Sequence, residues 1–172
     1  QEQSKINKKY ELFPGVNANL GQQEALDKIE QFLKSDKKEF LLQGKGGTGK
    51  TKKIKKILDA LPTATILAIA PSHKAKKVLD KSINKGKENK IKTTTVASAL
   101  AIKLDESTGN FEPDTFARDN NKVPIKFADY IIVDESSMIS DELLLEIREW
   151  TRKGAKVIFM GDADQLPKVD TT

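Results

Sequence analysis

Phe40-Leu41-Leu42-Gln43-Gly44-Lys45-Gly46-Gly47-Thr48-Gly49-Lys50-Thr51 is the stretch that decides the fold. Its first three residues are a short apolar run, as in a strand buried on both faces. Gly44 to Thr51 then matches G-x-x-x-x-G-K-[ST]. Ile54, Ile57, Leu58 and Leu61 follow at helical spacing and stop at Pro62, where a helix has to end. Strand, glycine-rich turn and helix in that order make an anion cradle. Gly44, Gly46, Gly47 and Gly49, with Thr48 among them, let successive N–H groups turn into one concavity, and the helix N-terminus adds a positive dipole end. Lys50 would reach the β- and γ-phosphates of ATP, and the Thr51 hydroxyl would bind Mg²⁺.

Working outward, Thr65 to Ala70, Tyr130 to Val133 and Val157 to Met160 are further apolar runs that read as buried strands, and Ile91 to Thr95 as a short one. Helical spacing marks Leu26, Ile29, Phe32 and Leu33 before the loop, a basic helix from Lys74 to Asn84, and Leu143, Leu144, Ile147 and Trp150 near the end. Strands alternating with helices predict an α/β domain: a parallel sheet covered by helices on both faces. Residues 1–20 are polar around Tyr10, Leu12, Phe13 and Pro14-Gly15 and read as a lead-in to a domain over 21–172. An insertion over 103–127 holds the irregular stretch Asp105 to Pro124, with a hairpin turn expected at Thr108-Gly109.

Asp134-Glu135 ends one of the apolar strands, at the edge where ligands bind in such sheets. Asp134 would hold Mg²⁺, and Glu135 would orient and polarise an attacking water. Transfer of a phosphoryl group to a metabolite does not require that second carboxylate, so Glu135 favours hydrolysis.

Of the 172 residues, 37% are apolar and 32% charged, and the formal charge is +5. The only arginines are Arg118, Arg148 and Arg152; lysine carries the rest of the positive charge. The excess reads either as solvated lysines or as a surface for a polyanion. No apolar run is long enough to span a bilayer. With no cysteine and His73 as the sole histidine, a disulfide framework and a zinc centre are not expected, and a cytoplasmic location is.

Six segments, in order, resemble the motifs of superfamily 1 helicases. Gly21-Gln22-Gln23-Glu24-Ala25-Leu26 looks like their Q motif and Gly44 to Thr51 like motif I. Ala70-Pro71-Ser72-His73-Lys74-Ala75 is similar to motif Ia, and Thr95-Val96-Ala97-Ser98-Ala99-Leu100 to motif Ib. Val133 to Met138 resembles motif II, and Gly161 to Pro167 motif III. Order and spacing resemble the 1B branch of RecD-like and phage Dda-like DNA helicases. That resemblance implies a RecA-like fold, with Gln22 on adenine and Gln165 sensing the γ-phosphate. It also implies that Ser72, His73, Lys74, Thr95 and Ser98 lie along single-stranded DNA. For Ser72 and Thr95 helix capping is the competing reading, and for His73 a plain surface position. Ala97 stands where the family usually has histidine, and Lys168 where many members have a second proline.

The insertion falls where these helicases carry a duplex-splitting pin. Phe111 and Phe116 read either as base-stacking residues there or as anchors of the insertion to the main domain. The resemblance further implies a second RecA-like domain bearing an arginine finger, 5′-to-3′ movement, and little activity for residues 1–172 alone. The rival classes are a P-loop ATPase unrelated to DNA and a nucleotide-dependent binding module without turnover.

Overall fold

The computed structural model describes residues 12–17, 22–43, 55, 58–59 and 61–161, with backbone alone for 12–17, 22–23, 25, 43 and 64. The apolar runs form strands β2 (Glu39–Gln43), β3 (Ile66–Ala70), β7 (Tyr130–Val133) and β8 (Lys156–Gly161), joined by β1 (Leu12–Asn17) and β4 (Lys92–Thr95). These six pair in the order β1-β2-β8-β7-β3-β4, and every pairing is parallel. Among the described residues, helices α1 (Gln22–Lys34), α2 (His73–Asn84), α3 (Val96–Ala99), α4 (Thr115–Asp119) and α5 (Asp141–Trp150) accompany the sheet, with β5 (Ile102–Leu104) and β6 (Phe111–Pro113).

Side chains alternate across a strand, so each central strand feeds two cores. Ile66, Ala68, Ile132, Ile158 and Met160 face one core, closed by Ile29 and Phe32 of α1 and Leu79 and Ile83 of α2. Leu67, Ile69, Ile131, Val133, Val157 and Phe159 face the other, closed by Ala99 of α3 and Ile147 of α5. Of the residues that helical spacing singled out, Leu26, Ile29, Phe32, Leu58 and Ile147 are buried, and Leu33, Leu61, Leu143, Leu144 and Trp150 are half-buried against the two cores; Ile54 and Ile57 lie outside the described residues. The expected parallel sheet with helices on both faces is present.

The lead-in reading needs correction, because residues 12–17 form the edge strand β1 beside β2. The pairing shifts between Phe13 and Val16, across Pro14-Gly15. Proline cannot donate to a ladder and is tolerated on an edge or at a bulge.

Buried polar groups tie the sheet to its helices. Glu39 and Arg148 form a buried ion pair, Nε to Oε2 at 2.7 Å, and the Arg148 guanidinium lies 4.9 Å from the Phe159 ring. Burial pushes the Glu39 carboxyl above its usual range, with Arg148 pulling against that shift. Lys156 donates from Nζ to the carbonyls of Phe32, Ser35 and Lys37 at 3.0, 2.7 and 2.6 Å. It thereby ties β8 to carbonyls at and just beyond the end of α1, where Phe32 also accepts from the Ser35 N–H and hydroxyl. Burial lowers the Lys156 ammonium below the ordinary lysine range. Asn84, at the end of α2, grips Ile91 with both amide atoms: Nδ2 donates to the Ile91 carbonyl at 2.8 Å, and Oδ1 accepts its N–H at 2.7 Å.

The insertion is an antiparallel hairpin, β5 against β6, turning at Gly109 with φ +75°, followed by α4. Arg118 of α4 anchors it, donating to the Leu100 carbonyl and to Glu146 and lying 5.0 Å from the Trp150 ring. Phe111 and Phe116 do not act as anchors: they are 68% and 66% exposed.

Candidate nucleotide and nucleic-acid site

Because all six main strands run parallel, the residues after β2, β3, β4, β7 and β8 emerge at one edge of the sheet. Those are the positions of the phosphate loop, of Ser72-His73-Lys74, of Thr95 to Ser98, of Asp134-Glu135 and of the segment entering Gly161. Two strands fill the gap between β2 and β3 in the sheet. The carboxyl ends of β2 and β7 therefore flank that of β8, about two strand spacings apart, roughly 10 Å. Such a break in strand order opens a crevice at the carboxyl ends.

The turn after β7 is built from backbone. The Asp134 N–H donates to the Ile69 carbonyl at 2.8 Å, and Asp134 is half-buried while Glu135 is exposed. Glu135 adopts φ 46° and ψ 47°, a left-handed conformation that costs a non-glycine residue of order 1–3 kcal/mol and collects at functional sites. A 3-10 turn, Ser136–Met138, follows. The buried Ser136 hydroxyl donates to the Met160 carbonyl at 3.0 Å, so the acidic turn is fastened to β8 just before Gly161. Pattern reading missed this tie, since one serine in a polar turn carries no periodic signal.

At the neighbouring strand ends, Ser72 caps α2, accepting from the Ala75 N–H at 3.1 Å. His73 and Lys74 are exposed in its first turn. Thr95 caps α3, accepting from the Ser98 N–H at 3.2 Å and donating to Ser98 Oγ at 3.1 Å. The capping reading of Ser72 and Thr95 is thus realised. Thr95 is buried and committed in both directions, whereas Ser72, His73, Lys74 and Ser98 are exposed on the edge.

Lys50, Thr51, the loop residues Gly44, Gly46, Gly47, Thr48 and Gly49, and Gln165 lie outside the described residues; Gln22 opens α1, its side chain undescribed. All three arginines are engaged elsewhere. Arg118 holds the insertion, Arg148 pairs with Glu39 at the opposite edge of the sheet, and Arg152 pairs with Asp129 there. Among the described residues no His, Asp and Glu cluster into a self-sufficient metal cage. A half-buried carboxylate such as Asp134 still fits Mg²⁺, which takes one or two protein oxygens beside phosphate. No helix among the described residues is long and apolar enough to cross a membrane.

The family described as AAA domain matches residues 17–172. The RecD subunit of the RecBCD enzyme from Mycobacterium tuberculosis is 30% identical over 142 residues, 76% of this chain and 24% of that protein. The ATP-dependent DNA helicase dda of Enterobacteria phage T4 is 30% identical over 154 residues, 87% of this chain and 33% of that protein. The chain thus spans between about a quarter and a third of these relatives' lengths. Among solved structures, Pif1 helicase from Bacteroides, in complex with ADP-AlF3 and ssDNA, superposes with TM-score 0.54 at 20% identity, covering 89% of this chain and 35% of that one. Pif1 helicase from Candida albicans gives TM-score 0.55 at 20% identity, covering 87% and 33%. With this sheet order and these matches, the chain belongs to the AAA-domain family and is a RecA-like P-loop motor domain of a superfamily 1B helicase.

Proposed function

We propose that this domain is the first motor domain of an ATP-dependent DNA helicase, binding Mg-ATP in the crevice beside β8 and single-stranded DNA along the adjoining edge. The observation that carries the proposal is the convergence of five motif-bearing strand ends on one edge. Gly44, Gly46, Gly47, Thr48 and Gly49 cradle the phosphates, Lys50 neutralises them, and Gln22 reads the adenine. Thr51 and Asp134 supply hard oxygen donors for Mg²⁺, which when bound draws charge from the phosphate oxygens. Glu135 accepts the proton of the water that attacks the γ-phosphorus, leaving ADP and phosphate. The left-handed backbone at Glu135 supports that role, because strain held at a strand end has a use there. Gln165 senses the γ-phosphate, and the Ser136 bond to Met160 supports a link between its segment and the acidic turn.

Ser72, His73, Lys74 and Ser98 grip the DNA backbone without reading bases, and Thr95 acts by holding Ser98. Exposed Phe111 and Phe116 support the stacking reading of the hairpin. The arginine completing the γ-phosphate environment comes from a second RecA-like domain, since the three here are engaged. Translocation from 5′ to 3′ follows the family. Calorimetry with Mg-ADP tests the assignment: the chain binds, and Lys50→Ala and Thr51→Ala each weaken binding. Equal affinity in both variants would refute it.

A further inference from the structure

The lysine-rich segment from Lys74 to Lys92 does not all lie on the edge assigned to single-stranded DNA. Helix α2 starts at that edge and runs back along the sheet, so at 1.5 Å per residue Lys85 lies about 16 Å from Lys74. Lys74, Lys77, Lys81 and Lys85 recur three or four residues apart and are all exposed, forming one stripe on the outer face of the helix. The stripe continues past the helix end. Lys81, Lys85 and Lys90, with Asp80 beside them, line a cavity of about 600 Å³. Lys90 also lines a second cavity of about 420 Å³, with Lys92, Lys122 and Phe127 and no acidic residue. From His73 through Lys92 eight lysines stand against two acids, Asp80, which accepts hydrogen bonds from the neutral side chains of Asn84 and Thr93, and the exposed Glu88. Among the described residues, Lys77, Lys81, Lys85, Lys90, Lys92 and Lys122 form no ion pair.

We infer that this stripe is a second nucleic-acid surface, a track for the phosphate backbone of duplex DNA, separate from the single-strand edge. Its composition favours a duplex over the competing occupants, the exposed Phe127 lining only the cavity beyond the helix end. Protein interfaces are enriched in arginine and aromatic residues and depleted in lysine, whereas this surface is built from lysine, with no arginine. Single strands are held by aromatic side chains that stack on unpaired bases, and the stripe on α2 has none. A duplex buries its bases and presents one negative charge per about 1.7 Å of axis, which suits point charges that read nothing. The track deepens the DNA-motor reading by naming a duplex as a second ligand of the same domain.

The test compares the chain with its Lys77→Gln/Lys81→Gln/Lys85→Gln variant, leaving Lys74 in place. Binding to a short blunt duplex and to one of its strands is measured by fluorescence anisotropy across a salt series. The triple variant should bind the duplex about tenfold more weakly at low salt. Its log–log salt slope should be shallower by about 2.7, at roughly 0.9 per lost contact. Single-strand affinity should change less than about twofold, and the corresponding Lys→Arg triple should keep duplex binding. Unchanged duplex affinity and slope would overturn the proposal. So would equal losses on duplex and single strand, or an oligo-glutamate peptide that needs the three lysines when the duplex does not. A chain that binds single strands but no duplex would overturn the track alone and leave the single-strand reading standing.

Discussion

Arg148→Met removes the cation from a carboxylate that has no exposed surface. Glu39 is fully buried, and Arg148 Nε meets its Oε2 at 2.7 Å. Stripping one partner from a buried pair costs about 3–5 kcal/mol, and losing the stack on Phe159 adds about 0.5–1 kcal/mol. Set against a domain stability of about 5–15 kcal/mol, that leaves a marginal protein at neutral pH. The deficit should depend on pH with a definite sign. Burial already raises the Glu39 carboxyl, and Arg148 opposes the rise, so the variant raises it further. A carboxyl whose folded pKa exceeds its unfolded value contributes fully below the unfolded pKa and loses that contribution as pH rises through the folded one. The deficit should therefore shrink as pH falls from neutral toward the unfolded value near 4.5. A Glu39→Gln/Arg148→Met double variant should lack that dependence. Urea unfolding of the three proteins across that range measures it. A deficit below about 1 kcal/mol at neutral pH, the size of an exposed pair, or one that ignores pH, would refute the reasoning. Glu39 opens the strand that feeds the phosphate loop and Arg148 lies on the helix after the acidic turn, so nucleotide affinity should fall with stability.

Other outcomes follow from the site itself. In a protein carrying both motor domains, Glu135→Gln should keep ATP binding and lose about 10²–10⁴-fold in turnover, as expected on removing a general base; steady-state ATPase and nucleotide titration read the two separately. Ser136→Ala leaves the Met160 carbonyl without its donor, costing about 1–3 kcal/mol, and should slow turnover more than it weakens nucleotide affinity, which stopped-flow binding beside ATPase assays resolves. Residues 1–172 alone should show neither DNA-stimulated ATPase nor strand separation, because an arginine supplied across the cleft contributes about 10³–10⁵ in rate; robust unwinding by the chain would contradict the two-domain reading.

The parts legible in the sequence were those with a period or a fixed spacing. Thr65 to Ala70, Tyr130 to Val133 and Val157 to Met160 stood out because strands buried on both faces are almost wholly apolar. The end of an apolar strand marked Asp134 and Glu135 for the ligand edge of the sheet, whereas Ser72 and Ser98 were marked for single-stranded DNA only by the resemblance. Strand β1 escaped because its residues include Pro14-Gly15, a turn signal that an edge strand with a register shift absorbs. The ion pair from Glu39 to Arg148, 109 residues apart, and the three carbonyls capped by Lys156 are tertiary matters that no local window contains. Phe111 and Phe116 stayed ambiguous because an aromatic residue suits either a core or a stacking surface, and only their exposure separates the two.

The amide clamp between Asn84 and Ile91 has a practical consequence for engineering. Both ends of the segment 85–90 are pinned by one side chain, and within it Lys87 alone forms an ion pair among the described residues, with Asp59. It therefore behaves as a detachable cassette on a fixed socket. Closing a flexible loop of twice the length costs only about 0.6 kcal/mol more. Epitope tags, spectroscopic reporters or loops of reversed charge could be grafted between Asn84 and Ile91 without disturbing the sheet, provided the socket residues stay.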